Sequence, residues 1–307
     1  MLTSFFGKST PLNFLLLCGY IFTLFLLRFV MDPATVFNWS SITAFTGVVV
    51  LLLFSVLLLD FTIRKNGLTK LNTYAIYLFT CAAAMLSGLI NDPWVVLSNV
   101  FILLALRRIF SLQKTKNNER KILDATIWIL LASGVYFWNI LLFAPLYLAL
   151  TFKAQKEFRF YLIPLVGASA IFLIATAAHF LKEDSFSWFF KWPDAISFDF
   201  AVYGTTQTMV FISFLLAMIL WTLIPKIRMI PKGAKKDKPN AILEIVVLVS
   251  LLTAIVISSE KTGGELLFLI APAAIIITGY MEKTSERWFK EILLWSFLLL
   301  PFLFLLF

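Results

Sequence analysis

Arg28 and Asp32 stand four residues apart, a spacing that puts both side chains on one face of a helix. A guanidinium can grip phosphate oxygens in a fork while a neighbouring carboxylate takes a proton from an incoming hydroxyl. The bland reading of the same pair is a simple ion pair that lets Arg28 reach a headgroup layer. His179 is the chain's one histidine. It has no HxxxH or HExxH companion and no carboxylate cluster, so a protein metal site is not expected. The run Glu260-Lys261-Thr262-Gly263-Gly264-Glu265 brackets a cation and two glycines with acids. It reads equally as a tight turn, which needs its glycines anyway. No P-loop, GxGxxG or GxSxG segment is present, so soluble-type nucleotide or esterase chemistry has no foothold and no cofactor is expected.

These residues must be positioned by helices in a bilayer. The 307-residue chain is 61% hydrophobic and 14% charged, outside the range of a soluble globular domain. A crossing takes roughly 20 apolar residues for about 30 Å of hydrocarbon. Apolar runs near 13–31, 43–61, 73–90, 93–110, 122–137, 139–152, 159–180, 207–225, 240–258, 264–281 and 288–307 therefore predict an all-α, polytopic transmembrane bundle of about eleven spans. The whole of 1–307 reads as one integral membrane domain.

Charge then sets the topology. Twenty-two of the 26 Lys and Arg residues fall in alternate loops, and only Arg28, Lys182, Lys191 and Lys261 fall in the others. Basic loops stay cytoplasmic, so the N-terminus is expected inside and the C-terminus outside, in a bacterial inner membrane. The net charge of +9 is loop charge of this kind and points to anionic headgroups, with no nucleic acid partner. Ile122 to Phe152 must supply two crossings. A single helix there would place the basic loop 226–239, with its six Lys and Arg residues, outside. A hairpin turning at Tyr136-Phe137-Trp138-Asn139 is expected instead. The outer segment 182–206 mixes Trp188, Phe189, Phe190 and Trp192 with acids, a composition suited to the headgroup plane. Cys18 and Cys81 sit inside spans and read as packing residues. No Asp, Glu, Lys, Arg or His falls at the centre of a span, which counts against an ion-coupled transporter.

Several stretches carry a resemblance. From Asn91 to Gly167 an outer Asp-Pro leads a span ending Leu106-Arg107-Arg108, then a basic linker. The run ILDATIWILLASGVYFWNILLFAPLYLAL follows, then FYLIPLVGASAIFLI, and ELLFLIAPAAIIITGY spans 265–280. The pattern resembles the helical core of membrane glycosyltransferases of the GT-C type, which use polyprenyl-phosphate sugar donors at the outer face. The whole chain also resembles an uncharacterised family of Bacteroidota polytopic inner-membrane proteins. By the first resemblance, Asp32 would be the catalytic base, and Arg28 with Lys261 would hold the carrier's phosphate. His179 and Glu265 would line the acceptor side. The chain departs from the GT-C pattern in two places: Asp32 is the single acid of a short first outer loop, and Leu266 stands where that family's late motif has arginine.

The expectation is an inner-membrane protein handling a lipid-linked glycan or other lipid intermediate at the periplasmic face, with membrane lipids and a polyprenyl-phosphate carrier as partners. Its rivals are a non-enzymatic subunit of an envelope assembly, secretion or gliding complex, bound to other membrane proteins, and a transporter or flippase. In a cysteine-free background, cysteines at positions 116 and 235 should resist an impermeant thiol reagent in intact cells, while one at 187 should label. Labelling at 235 would overturn the hairpin and the span count with it.

Overall fold

The computed structural model describes residues 2–31, 38–113, 117–152, 157–186, 188, 192, 194–235 and 237–306. Asp32, Phe189 and Phe190 lie outside them. The described chain is all-helical. Helices α1 (Leu2–Phe6), α2 (Pro11–Met31), α3 (Trp39–Asn66) and α4 (Tyr74–Met85) come first. They are followed by α5 (Pro93–Ser111), α6 (Asn118–Val135), α7 (Phe143–Thr151) and α8 (Phe158–Glu183). Then come α9 (Thr206–Met229), α10 (Lys238–Ile257), α11 (Leu267–Met281) and α12 (Arg287–Leu306). Short 3-10 turns at Ser87–Ile90, Phe137–Leu142, Ala201–Gly204 and Gly264–Leu266 join some of them.

Local chemistry sets the helix ends. Asn38 and Ser41 exchange side-chain and backbone hydrogen bonds at the start of α3, a capping box that satisfies two otherwise unpaired amides. The helix stops at Gly67, whose φ of 63° is the left-handed conformation glycine adopts without a Cβ clash. Asp92 accepts from the Val95 amide and Pro93 opens α5, where its missing N–H costs nothing. Helix α6 ends because Tyr136 is extended (φ −137°, ψ 101°), so the stretch from 122 to 152 is not one helix. The chain turns back at the place the aromatics mark.

Among the described residues, seven helices are long and apolar enough to cross a membrane: α2, α3, α5, α8, α9, α10 and the unit from Gly264 to Met281. Helix α4 and the stretch from Phe137 to Thr151 are apolar but shorter. Charged residues open α6 and α12. Helices α4 and α11 form the centre of the bundle. Every residue of α4 is buried, as is all of α11 except Gly279 and Tyr280. With 12 residues, α4 rises only about 18 Å, and the chain goes on through an extended Leu86. Irregular backbone at this depth is tolerated because protein surrounds it. By contrast α8 leaves Leu165, Val166, Leu173 and Ile174 exposed, an apolar face suited to lipid.

Some of the polar groups inside the bundle pair with one another. Asn99 donates to Ser55 (3.3 Å), Asn139 donates to Ser98 (3.0 Å), and Ser98 donates to the Ala132 carbonyl (3.2 Å). These bonds tie α3, α5, α6 and the turn after it, since in hydrocarbon the alternative is an unsatisfied dipole. The Tyr20 and Tyr77 hydroxyls donate to the Leu298 and Leu294 carbonyls of α12.

The helices run between two sets of turns. At one end Glu291 accepts from the Leu2 and Thr3 amides, and Thr73 donates to the Phe6 carbonyl. Also there, Glu282 accepts from the Lys70 amide, Arg108 pairs with Asp124, and Arg159 lies 3.4 Å from Glu119. This is the basic end. The acidic end gathers 86–93, 133–139, 194–205 and 258–265.

Gly167 marks the close approach of α8 to α6: a Cβ built there would lie 3.1 Å from Thr126 Cγ2 and 3.4 Å from Leu123 Cδ1. Gly167→Leu should wedge the two helices apart and cost about 1–3 kcal/mol, the usual cost of overpacking. A lowered thermal midpoint of the purified protein would show it; an unchanged midpoint would mean the helices are not held at this distance.

Candidate functional site

The acidic end is built around the turn that follows α10. Asp194 accepts from the Ser258 hydroxyl (2.8 Å), from the Ser259 amide (3.0 Å) and from the Ser259 hydroxyl. Burial pushes the Asp194 carboxyl up, but the Ser259 and Ser258 hydroxyls and the Ser259 amide outweigh it and hold it below its ordinary value. Two residues on, Ile196 forms an isolated antiparallel bridge with Ser258, and the Ser197 amide donates to the Ile257 carbonyl (3.0 Å). The segment from 194 to 204 thus covers the C-terminus of α10.

Lys261 and Glu265 complete this cover. The Lys261 ammonium donates to the Ser197 carbonyl (2.8 Å) and the Ser258 carbonyl, and it lies 5.0 Å from the centre of the Phe200 ring. Glu265 has no exposed surface. One of its oxygens accepts from the Tyr203 hydroxyl, the other from the Thr262 amide (3.0 Å). Burial and then the Glu265 charge push the Tyr203 phenol up, so it stays protonated and donates. The Thr262 hydroxyl lies 3.1 Å from both Glu265 Oε2 and Asp92 Oδ2. Having one proton, it serves one carboxylate at a time.

Beside this cluster lies a cavity of about 480 Å³, lined by Asp92, Trp94, Gly134, Tyr136, Glu260 and Thr262 among others. The start of α5, the end of α6 and the 260–262 turn form its walls. It presents two carboxylates and a Trp94 ring that is 66% exposed. Tyr136 is buried by its side, its hydroxyl near Ser258 but outside hydrogen-bonding geometry. Such a cavity can receive a polar headgroup, accept hydrogen bonds from hydroxyls, and offer a carboxylate as proton acceptor.

The residues singled out in the sequence divide sharply. Glu265 and Lys261 do meet at the acidic end, but their hydrogen bonds go to the fold: Lys261 spends two of its donors on backbone carbonyls. Arg28 is buried near the end of α2, and neither of its terminal nitrogens has a hydrogen-bond partner among the described residues. Its expected pairing with Asp32 falls outside the described residues. His179 stays on α8, with Nε2 3.0 Å from Glu183 and the ring 6.4 Å from Trp188. No described contact joins it to Glu265. Glu260 was read only as part of the 260–265 run, and Asp92, Asp194 and Tyr203 were not singled out for chemistry in the sequence, although Asp92-Pro93 is a legible helix start.

An all-helical bundle with seven helices of crossing length and apolarity is a polytopic membrane protein. Within that class the chain belongs to DUF6427, a family of unknown function whose model matches residues 3–307. No curated protein and no solved structure matches it.

Asp194 generates a pH prediction. Its carboxyl is depressed in the folded protein, so the stability it contributes is present above the ordinary carboxylate pKa of about 4 and is lost as pH falls through the lower folded value. Asp194→Asn should therefore destabilise the protein at pH 7 and reduce the acid dependence of its thermal midpoint below about pH 4. Parallel pH profiles for the two proteins would contradict this role.

Proposed function

We propose that this protein crosses the bacterial inner membrane eleven times, N-terminus in the cytoplasm, and handles a lipid-linked glycan or other lipid-borne intermediate at its periplasmic, acidic end. The observation that carries this reading is the cavity between α5, α6 and the 260–262 turn, where Asp92 and Glu260 stand beside the exposed Trp94 ring. A headgroup entering from the membrane would pass the indole, a side chain at home at the lipid–water boundary, and reach the carboxylates. Arg28 supplies a buried guanidinium without a hydrogen-bond partner among the described residues, on a helix that packs against the turn leading to Asp92. A guanidinium of that kind suits a carrier phosphate. The topology draws support from the two sets of turns: loops rich in Lys and Arg meet at one end and acidic loops at the other. The GT-C-like core remains part of this proposal, with the base assigned among Asp32, Asp92 and Glu260.

A second reading has its own observation. Asp194, Lys261, Glu265 and Tyr203 are all engaged in holding loops together, as in a subunit that serves as a structural platform for an envelope complex.

Carboxylate-to-amide variants separate the two. Asp92→Asn keeps a good helix cap while removing the base, so abundance should persist. If the protein is an enzyme, one of Asp32→Asn, Asp92→Asn or Glu260→Gln should lower a lipid-linked product by roughly 10²–10⁴-fold in cells lacking the native gene. Mass spectrometry of the extracted lipids reads this directly. Full function in the triple variant, at normal abundance and with function lost on gene deletion, would remove the enzyme and leave the platform.

A further inference from the structure

A second cavity, of about 490 Å³, opens at the basic end, where the turns after α3, α9 and α11 meet. Four lysines line it: Lys70, Lys226, Lys238 and Lys283. Three carboxylates share the wall, and one of them, Glu244, is paired with a cation. Glu244, almost fully buried, pairs with Lys226 across α9 and α10. Glu282 accepts from the Lys70 amide (2.8 Å) and the Asn72 side chain (2.5 Å). Lys238 donates to the Pro231 carbonyl (2.7 Å), which fastens the loop at the rim. The Lys70 and Lys283 ammonium groups have no protein acceptor among the described residues. Against these two cations stand Asp237 and Glu282, whose neutral donors leave its charge in place, so the four lysines outnumber the three carboxylates of the lining by one.

The lining also includes the apolar side chains of Leu68, Pro225, Met229 and Ile230. Gly279 lies in the lining. It interrupts the buried surface of α11, and a Cβ built there would meet nothing within 4 Å. The volume lies within the range of about 300–1,000 Å³ typical of small-molecule sites. Basic pockets between helices at a membrane surface accept phosphate-bearing headgroups, because the ammonium groups meet the phosphate while apolar side chains take the body of the molecule.

From this arrangement we infer that the basic-end cavity is a binding site for a phosphate ester of net negative charge, with Lys70 and Lys283 as its phosphate ligands and Gly279 in the lining of its opening. The inference stands apart from the acidic-end reading, since it concerns other residues and needs no particular chemistry there. Two sources share this ligand chemistry, the headgroup of an anionic phospholipid and a soluble phosphate ester.

Calorimetric titration of the purified full-length protein in detergent tests the site. The probes are short-chain phosphatidylglycerol, the soluble glycerol 1-phosphate, and short-chain phosphatidylcholine as a zwitterionic control. Saturable phosphatidylglycerol binding is expected, weakened about tenfold or more in the Lys70→Gln/Lys283→Gln double variant, since each charged hydrogen bond lost is of that order. Gly279→Phe should abolish it by filling the opening. Both lysines are exposed, so the double variant keeps the test available should the Gly279 variant not fold. Binding of the phospholipid alone marks a lipid site, and equal binding of glycerol 1-phosphate with the same variant sensitivity marks a soluble ligand. No saturable binding of either phosphate, equal binding of phosphatidylcholine, or unchanged affinity in the variants would overturn the inference.

Discussion

Glu265 sits without exposed surface at the head of the helix that forms the centre of the bundle, and the acidic end is organised around its charge. A carboxylate in that position is favoured by the partial positive charge of a helix start, and a buried one needs donors for both oxygens. It draws them from the turn itself, through Thr262, and from the covering segment, through Tyr203. Removing the carboxylate would leave that phenol buried and unpaired. At the other end of the same helix Glu282 does similar work, gathering Lys70 and Asn72 from the turn after α3. The central helix is therefore pinned at both ends by carboxylates that reach for distant loops.

That pinning explains how short elements are accommodated. Helix α4 has too little rise for a full crossing and breaks into an extended residue at Leu86, which exposes backbone groups. Lipid would penalise them, but α4 is enclosed on every side. The longer helices α8 and α9, with apolar faces turned outward, take the lipid-facing positions instead. The bundle thus places its most irregular backbone at the centre and its most regular helices outside.

The two cavities lie at opposite ends of α11, separated by its 15 residues, about 22 Å along the axis. They differ in kind. The acidic-end cavity offers carboxylates and an aromatic, and so suits hydroxyl-bearing headgroups. The basic-end cavity offers ammonium groups and apolar side chains, and so suits phosphate esters.

The residues by themselves determined the all-helical class, the apolar runs that form seven helices of crossing length among the described residues, and the break at Tyr136. Each of these rests on a local property: hydropathy over one window, a cap, or a turn. Loop charge is nearly as local, which is why basic loops could be sorted from acidic ones by counting. Tertiary structure alone decided which charges are free. Lys261 and Glu265 have the composition of a site and became fastenings, because Ser197 and Tyr203, more than sixty residues away in sequence, supply their partners. Lys70 and Lys283 read as ordinary loop charge and became the lining of a cavity, because the turns after α3, α9 and α11 meet there, with Glu282 taking hydrogen bonds from donors 210 and 212 residues distant. A hydrogen bond is settled by which groups meet in space, and no window along the chain contains both of them.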